Sequence, residues 1–134
     1  MRFYLFTDGA SRGNPGPAAA GVVLKKEGGQ VVAEKRQLLG RLTNNEAEYR
    51  ALLLGLLTAK ENASVEDEIT VLMDSELAVS QIKGSYKIKA PHLKELIKEV
   101  KEAQKNFSKI TFQLVPRYKN ARADSLANQA LDED

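Results

Sequence analysis

A chain of 134 residues fits one domain, enough to bury about two-thirds of its unfolded surface and to hold a core without staples. With no cysteine and a single histidine, it excludes disulfides, thiol catalysis and thiolate metal centres, which leaves oxygen-rich coordination and hence hard cations. The net charge is only +2, but residues 83–122 carry eleven Lys and Arg against three acids, a net +8 stretch suited either to a phosphate backbone or to solvated helix faces.

In chain order, Phe3-Tyr4-Leu5-Phe6-Thr7 is an apolar run that stops at Asp8-Gly9 and reads as a buried strand meeting a turn. Gly13-Asn14-Pro15-Gly16-Pro17 reads as a rigid loop. Residues 20–27 and 30–39 are β-rich runs separated by Gly28-Gly29, a hairpin in which the glycines supply positive φ. Three antiparallel strands therefore open the chain. Residues 44–61 turn helical with a broad apolar surface (Ala47, Ala51, Leu52, Leu56), and Gly55 inside that helix implies close approach to a neighbour. Ile69–Met73 is another apolar strand, ending at Asp74-Ser75, and Glu76–Ile82 a short helix. Pro91–Asn106 forms an amphipathic helix carrying Leu93, Leu96, Ile97 and Val100 on one face. Residues 110–115 alternate apolar and polar as a last strand, and Asn120 suits the N-cap of a closing helix that buries Ala123, Leu126, Ala127, Ala130 and Leu131. This order indicates a mixed sheet with helices packed on it.

Four carboxylates stand out against this frame. Asp8 and Asp74 each follow an apolar strand, where rigid backbone presents a side chain at the sheet edge, although an Asp before Ser75-Glu76 is also an easy helix cap. Glu46 and Glu48 lie about 200° apart around their helix, so one faces in and one out. Glu48 shares the face of Ala51 and Leu52, whereas Glu46 has Arg50 at i+4 as a solvent-side partner. Asp124, early in the closing helix beside its apolar stripe, also serves as a dipole-compensating acid. Clustered carboxylates repel, and divalent cations between them offset that cost; two Mg²⁺ ions about 4 Å apart suit phosphodiester cleavage.

Thr7-Asp8-Gly9-Ala10-Ser11-Arg12-Gly13-Asn14-Pro15-Gly16-Pro17 resembles the opening signature of type 1 ribonuclease H. Thr43-Asn44-Asn45-Glu46-Ala47-Glu48-Tyr49, Met73-Asp74-Ser75 and Ala123-Asp124-Ser125-Leu126-Ala127 resemble three further segments of that family, in order and across nearly the whole chain. The resemblance implies the ribonuclease H-like α/β fold, a five-stranded mixed sheet flanked by helices, over a single domain at 1–134. It also implies Asp8, Glu48, Asp74 and Asp124 as the catalytic and metal-binding set. Family members use Mg²⁺, or Mn²⁺, to hydrolyse the RNA strand of RNA/DNA hybrids by a two-metal-ion mechanism, leaving 3′-hydroxyl and 5′-phosphate ends. Gly9, Asn14, Thr43, Asn44 and Asn45 match positions along the substrate groove, where short polar side chains suit sugar and phosphate contacts, although Asn and Thr also favour turns and caps.

Two departures stand out. Many bacterial members carry a histidine before the last Asp, but here the loop reads Pro116-Arg117-Tyr118-Lys119-Asn120, and the lone His92 falls at a helix start as a surface or capping residue. Arg117 is suited to hold a phosphate but stays protonated and cannot act as a general base. The stretch from Gln81 to Leu93 is too short for a Trp-rich basic protrusion, and Trp is absent, so hybrid affinity is expected to rest on Lys83, Lys87, Lys89 and the basic segment Arg117–Arg122, as in the shorter archaeal-like members. Partners expected are the hybrid, double-stranded RNA as a further duplex, and no membrane, for a cytoplasmic monomer, since no apolar run approaches 18 residues and no leader follows Met1. A noncatalytic duplex binder, or another nuclease or strand-transfer enzyme on the same fold, are the competing readings.

Overall fold

Alternation of large apolar residues along the first strand builds the sheet from its centre outward. The computed structural model describes residues 1–84 and 90–133. Strands β1 (Arg2–Ser11), β2 (Gly16–Lys26) and β3 (Val31–Leu42) form an antiparallel meander, with Gly28 and Gly29 both at positive φ in the β2–β3 turn. Helix α1 (Asn44–Asn62) crosses to β4 (Glu68–Met73), which pairs parallel with β1. Then come α2 (Glu76–Ile82), α3 (Pro91–Gln104), β5 (Lys109–Leu114) parallel to β4, a 3₁₀ turn (Arg117–Asn120) and α4 (Ala121–Asp132). The sheet order is β3-β2-β1-β4-β5, the mixed five-stranded arrangement expected, with its first three strands antiparallel. Among the described residues, no helix is long and apolar enough to cross a membrane.

β1 does not stop at Asp8. It continues to Ser11 because β2 pairs with it as far as Ser11↔Ala18, whereas the ladder to β4 ends at Phe6↔Leu72. Asp8 is thus a strand interior on one side and a strand end on the other. The segment before α4 is likewise more ordered than a plain loop, since residues 117–120 close a 3₁₀ turn.

The two faces of the sheet are covered unequally. Phe3, Leu5, Val22, Leu24, Ile69, Val71 and Met73 point to one face and pack against Tyr49, Leu52 and Leu56 of α1 and Leu96, Ile97 and Val100 of α3. Each such side chain contributes about 1.5–3 kcal/mol when removed from water, so this layer carries most of the apolar driving force. Among the described residues, the opposite face is covered by α4 and the 3₁₀ turn leading into it, α4 packing through Ala19, Ala127, Ala130 and Leu131 and through Phe6, Val23, Ala123 and Leu126. On the α1 side, a Cβ at Gly55 would crowd Leu5 and Thr7, the close approach its place in a buried helix implied.

Candidate active site

Both strand-borne acids emerge at the end of the sheet where β1 and β4 part. Asp8 lies two residues beyond the last β1–β4 pair, and Asp74 is the first residue after β4. Helix α1 begins at this same end, its N-terminus closed by a capping box between Thr43 and Glu46. A methyl group on Gly9 would overlap the Ala47 carbonyl, so the α1 backbone rests directly on β1, and the Gly9 N–H donates to Glu48 Oε1 at 2.5 Å. Ligand oxygens of Asp8, Glu48 and Asp74 consequently all lie within 4.8 Å of one another. Asp124 approaches from the other face. There α4 sits so close to β2 that a methyl on Gly21, the cross-strand partner of Asp8, would overlap the Ala123 carbonyl. Asp124 interacts with Asp8 and Asp74 but stands just outside the mutually close trio, with Asn128 Nδ2 donating to its carbonyl and to its Oδ1 at 3.0 and 3.3 Å.

Crowding these acids has an electrostatic signature. Asp8 and Glu48 are only 7% and 8% exposed. Burial, then repulsion from Glu48, holds the Asp8 carboxyl far above the ordinary carboxylate range. Burial also raises Glu48, against the pull of the Gly9 N–H, and raises Asp74, where the positive charge of Arg117 opposes it. An all-oxygen donor set with excess negative charge and little water fits a hard divalent cation, which would relieve both the repulsion and the desolvation at once.

Comparison with known proteins agrees with this geometry. The chain matches the reverse transcriptase-like family over residues 6–130. It is 42% identical to ribonuclease HI of Halobacterium salinarum over 132 residues, and the crystal structure of that organism's RNase H1 superposes with a TM-score of 0.95 at full coverage of both chains. The chain belongs to the type 1 ribonuclease H family. A bifunctional protein of Mycobacterium tuberculosis is 44% identical over 133 residues, and the structure of its N-terminal RNase H domain matches with a TM-score of 0.92 over 98% of this chain and 100% of that one. LC11-RNase H1, solved in complex with an RNA/DNA hybrid, is 42% identical with a TM-score of 0.93, covering 98% and 97% of the two chains. The chain spans 36% of the mycobacterial protein's length and 65% of the Halobacterium enzyme's.

In this ribonuclease H fold, Asp8, Glu48 and Asp74, but not Asp124, line a cleft of about 580 Å³ together with Gly9, Asn14, Thr43, Asn44 and Asn45, the five positions matched to a groove, and Arg117. Two of them also perform the local duties that Asn and Thr favour. The Asn14 side chain accepts from the Asn44 N–H at 3.1 Å, and the Thr43 hydroxyl accepts from the Glu46 N–H at 3.2 Å. Glu46 does not reach forward to Arg50 as the i+4 spacing suggested; its carboxylate turns back to accept from the Thr43 N–H at 3.0 Å, because closing the cap satisfies a helix-end donor.

The basic segment is divided. Arg117 lines the cleft, but Arg122 is engaged by Glu34 at 2.7 and 2.9 Å on the α4 side, and Lys119 lines a separate small hollow with Lys25. Lys83 borders a third hollow with Ile82 and Ile110, while Lys87 and Lys89 lie outside the described residues. His92 is exposed at the start of α3, as its surface reading required. Two cleft residues escaped the sequence reading: Ser75, whose hydroxyl caps α2 and also faces Glu48, and Leu77. Ser75 sits in the Asp74 motif itself, so its neighbour was the available signal.

Proposed function

We propose that this ribonuclease H domain is a metal-dependent endoribonuclease that hydrolyses the RNA strand of RNA/DNA hybrids, leaving 3′-hydroxyl and 5′-phosphate ends. The observation that carries the reading is the convergence of Asp8, Glu48 and Asp74 oxygens within 4.8 Å at the floor of an open cleft. A noncatalytic duplex binder gains nothing from burying repelling acids beside phosphates.

Asp8, Glu48, Asp74 and Asp124 are the residues proposed to hold two Mg²⁺ ions, with Mn²⁺ as a substitute. Ions bound there supply an activated water and charge compensation at the scissile phosphodiester. The chain's own groups then have separable duties. Gly9 fixes the Glu48 rotamer through its N–H, and Arg117, the cleft's cation, is placed to hold a phosphate oxygen near Asp74. Asn44 and Asn45, at the start of α1, offer amide groups to ribose hydroxyls and backbone, the contacts that distinguish RNA from DNA. The LC11 enzyme's complex with a hybrid supports the substrate class.

The test is a panel of strand-labelled RNA/DNA, RNA/RNA and DNA/DNA duplexes with and without Mg²⁺. Cleavage of the RNA strand in the hybrid, dependent on metal, is expected, and activity on double-stranded RNA is read in the same panel. Asp8→Asn and Asp74→Asn should each lower hybrid cleavage at least about 1,000-fold, equivalent to about 4 kcal/mol of barrier. Binding without turnover in both Mg²⁺ and Mn²⁺ would overturn the proposal.

A further inference from the structure

Asn120 occupies the N-cap position of α4, the place its sequence context indicated, yet its side chain makes no capping hydrogen bond. Instead the side chain is turned inward and is 1% exposed. Its Nδ2 donates at 2.9 Å to the carbonyl of Thr7, the residue before Asp8, across 113 positions of sequence. The same amide faces the carboxylate of Asp74 and stabilises its charge. The donor nitrogen is committed to the Thr7 carbonyl, which leaves Oδ1 pointing elsewhere; Oδ1 is buried with no protein partner. Both the forgone N-cap interaction and the buried orphan acceptor disfavour the folded state. Sequence spacing adds a further link. Asp124 is four residues after Asn120, one turn along the same face of α4.

We infer that Asn120 is a positioning residue that sets the mutual placement of Asp8, Asp74 and Asp124. It ties the start of α4 to the β1 backbone beside the first acid, faces the second, and so fixes where the third arrives. The cost in capping and in an unpaired oxygen is the kind a fold tolerates at a site whose geometry must be held. This inference rests on the proposed reading of the four acids as a cation site, and its test is chosen to stand apart from the cleavage assay.

Asn120→Ala and the volume-conserving Asn120→Leu remove both donors; the second guards against a cavity that merely unfolds the protein. Mn²⁺ affinity is measured by calorimetry without nucleic acid, alongside the Mg²⁺ dependence of cleavage and separate kcat and KM values for the hybrid. Outer partners of metal ligands typically matter by 10–100-fold. The expected result is Mn²⁺ affinity about tenfold weaker, half-maximal activation shifted to about tenfold higher Mg²⁺, and kcat lowered with KM within about twofold, partly rescued by excess Mn²⁺. Wild-type Mn²⁺ affinity in the folded fraction of either variant overturns the inference. A rise in KM alone would make Asn120 a substrate contact and overturn it equally. If the unmodified protein binds Mn²⁺ but cleaves no hybrid, the proposed activity fails while the calorimetry still decides on Asn120.

Discussion

Two helices approach Asp8 from opposite faces of the sheet, and each does so over a glycine. α1 rests on Gly9, next in the chain to Asp8, and delivers Glu48; α4 rests on Gly21, paired across from Asp8, and delivers Asp124. The contacts are alike, but the surroundings differ. α1 is also locked by Tyr49, Leu52 and Leu56 in the large aliphatic layer, with the Tyr49 hydroxyl further bonded to Gln81 of α2. α4 is held by a smaller apolar layer, its alanines with Leu126 and Leu131 against Phe6, Ala19 and Val23, and by exposed ion pairs such as Arg12–Asp132 and Arg36–Glu133. One acid is therefore placed by a core that cannot yield, the other by a close fit that can.

The largest effect expected is that of Gly9→Ala. The new methyl meets main chain of a helix that has nowhere to move, so a loss of about 3 kcal/mol of stability is expected in urea unfolding, with cleavage lost as well. Gly21→Ala is the matching change on the other face. There α4 can lift, so the stability loss should be smaller, about 1–2 kcal/mol. Cleavage at a temperature where the variant is folded should nevertheless fall about 100-fold, because Asp124 is carried away from Asp8. Equal stability losses in the two variants would erase the distinction between the faces.

A third prediction concerns the acids held between the two helices. Asp8, Glu48 and Asp74 all have carboxyl groups raised above their ordinary values, chiefly by burial. A folded protein that holds these protons more tightly than its unfolded chain is stabilised below the unfolded range, near pH 4, and loses that stabilisation as pH rises through the elevated values. Without divalent metal, melting should thus shift several degrees lower between pH 5 and pH 8, and Mg²⁺ should restore most at the higher pH. A metal-free melting temperature that climbs over that interval would contradict the crowding. The smallest effect belongs to Arg122→Ala, which breaks the half-exposed pair with Glu34 and should cost about 0.5 kcal/mol with cleavage unchanged within twofold.

Much of this arrangement was legible in the residues because period and punctuation agree. The helix over 44–61, the glycine turn at 28–29 and the strands ending at Asp74 and near residue 115 follow from local patterns, and the observed elements differ from them by a few residues at most. The inward face of Glu48 followed from angular spacing alone. What local pattern could not convey was set by distant partners. β1 outruns Asp8 because β2 keeps pairing with it, Arg122 turns away because Glu34 on β3 captures it, and Asn120 abandons its cap because its amide donates to the Thr7 carbonyl. The convergence of the acids was in the same category: each is ordinary in its own segment.

The parallel junction of β1 with β4 has a kinetic corollary. Its five rungs join segments such as Arg2 and Glu68, 66 positions apart, and only when it closes does Asp74 arrive beside Asp8. Closing a span of that length is entropically costlier than closing the short turns of the opening meander, so the acid cluster depends on the least local contact in the sheet. The acid cluster is in this sense an all-or-none product of long-range assembly, complete only when both halves of the sheet have joined.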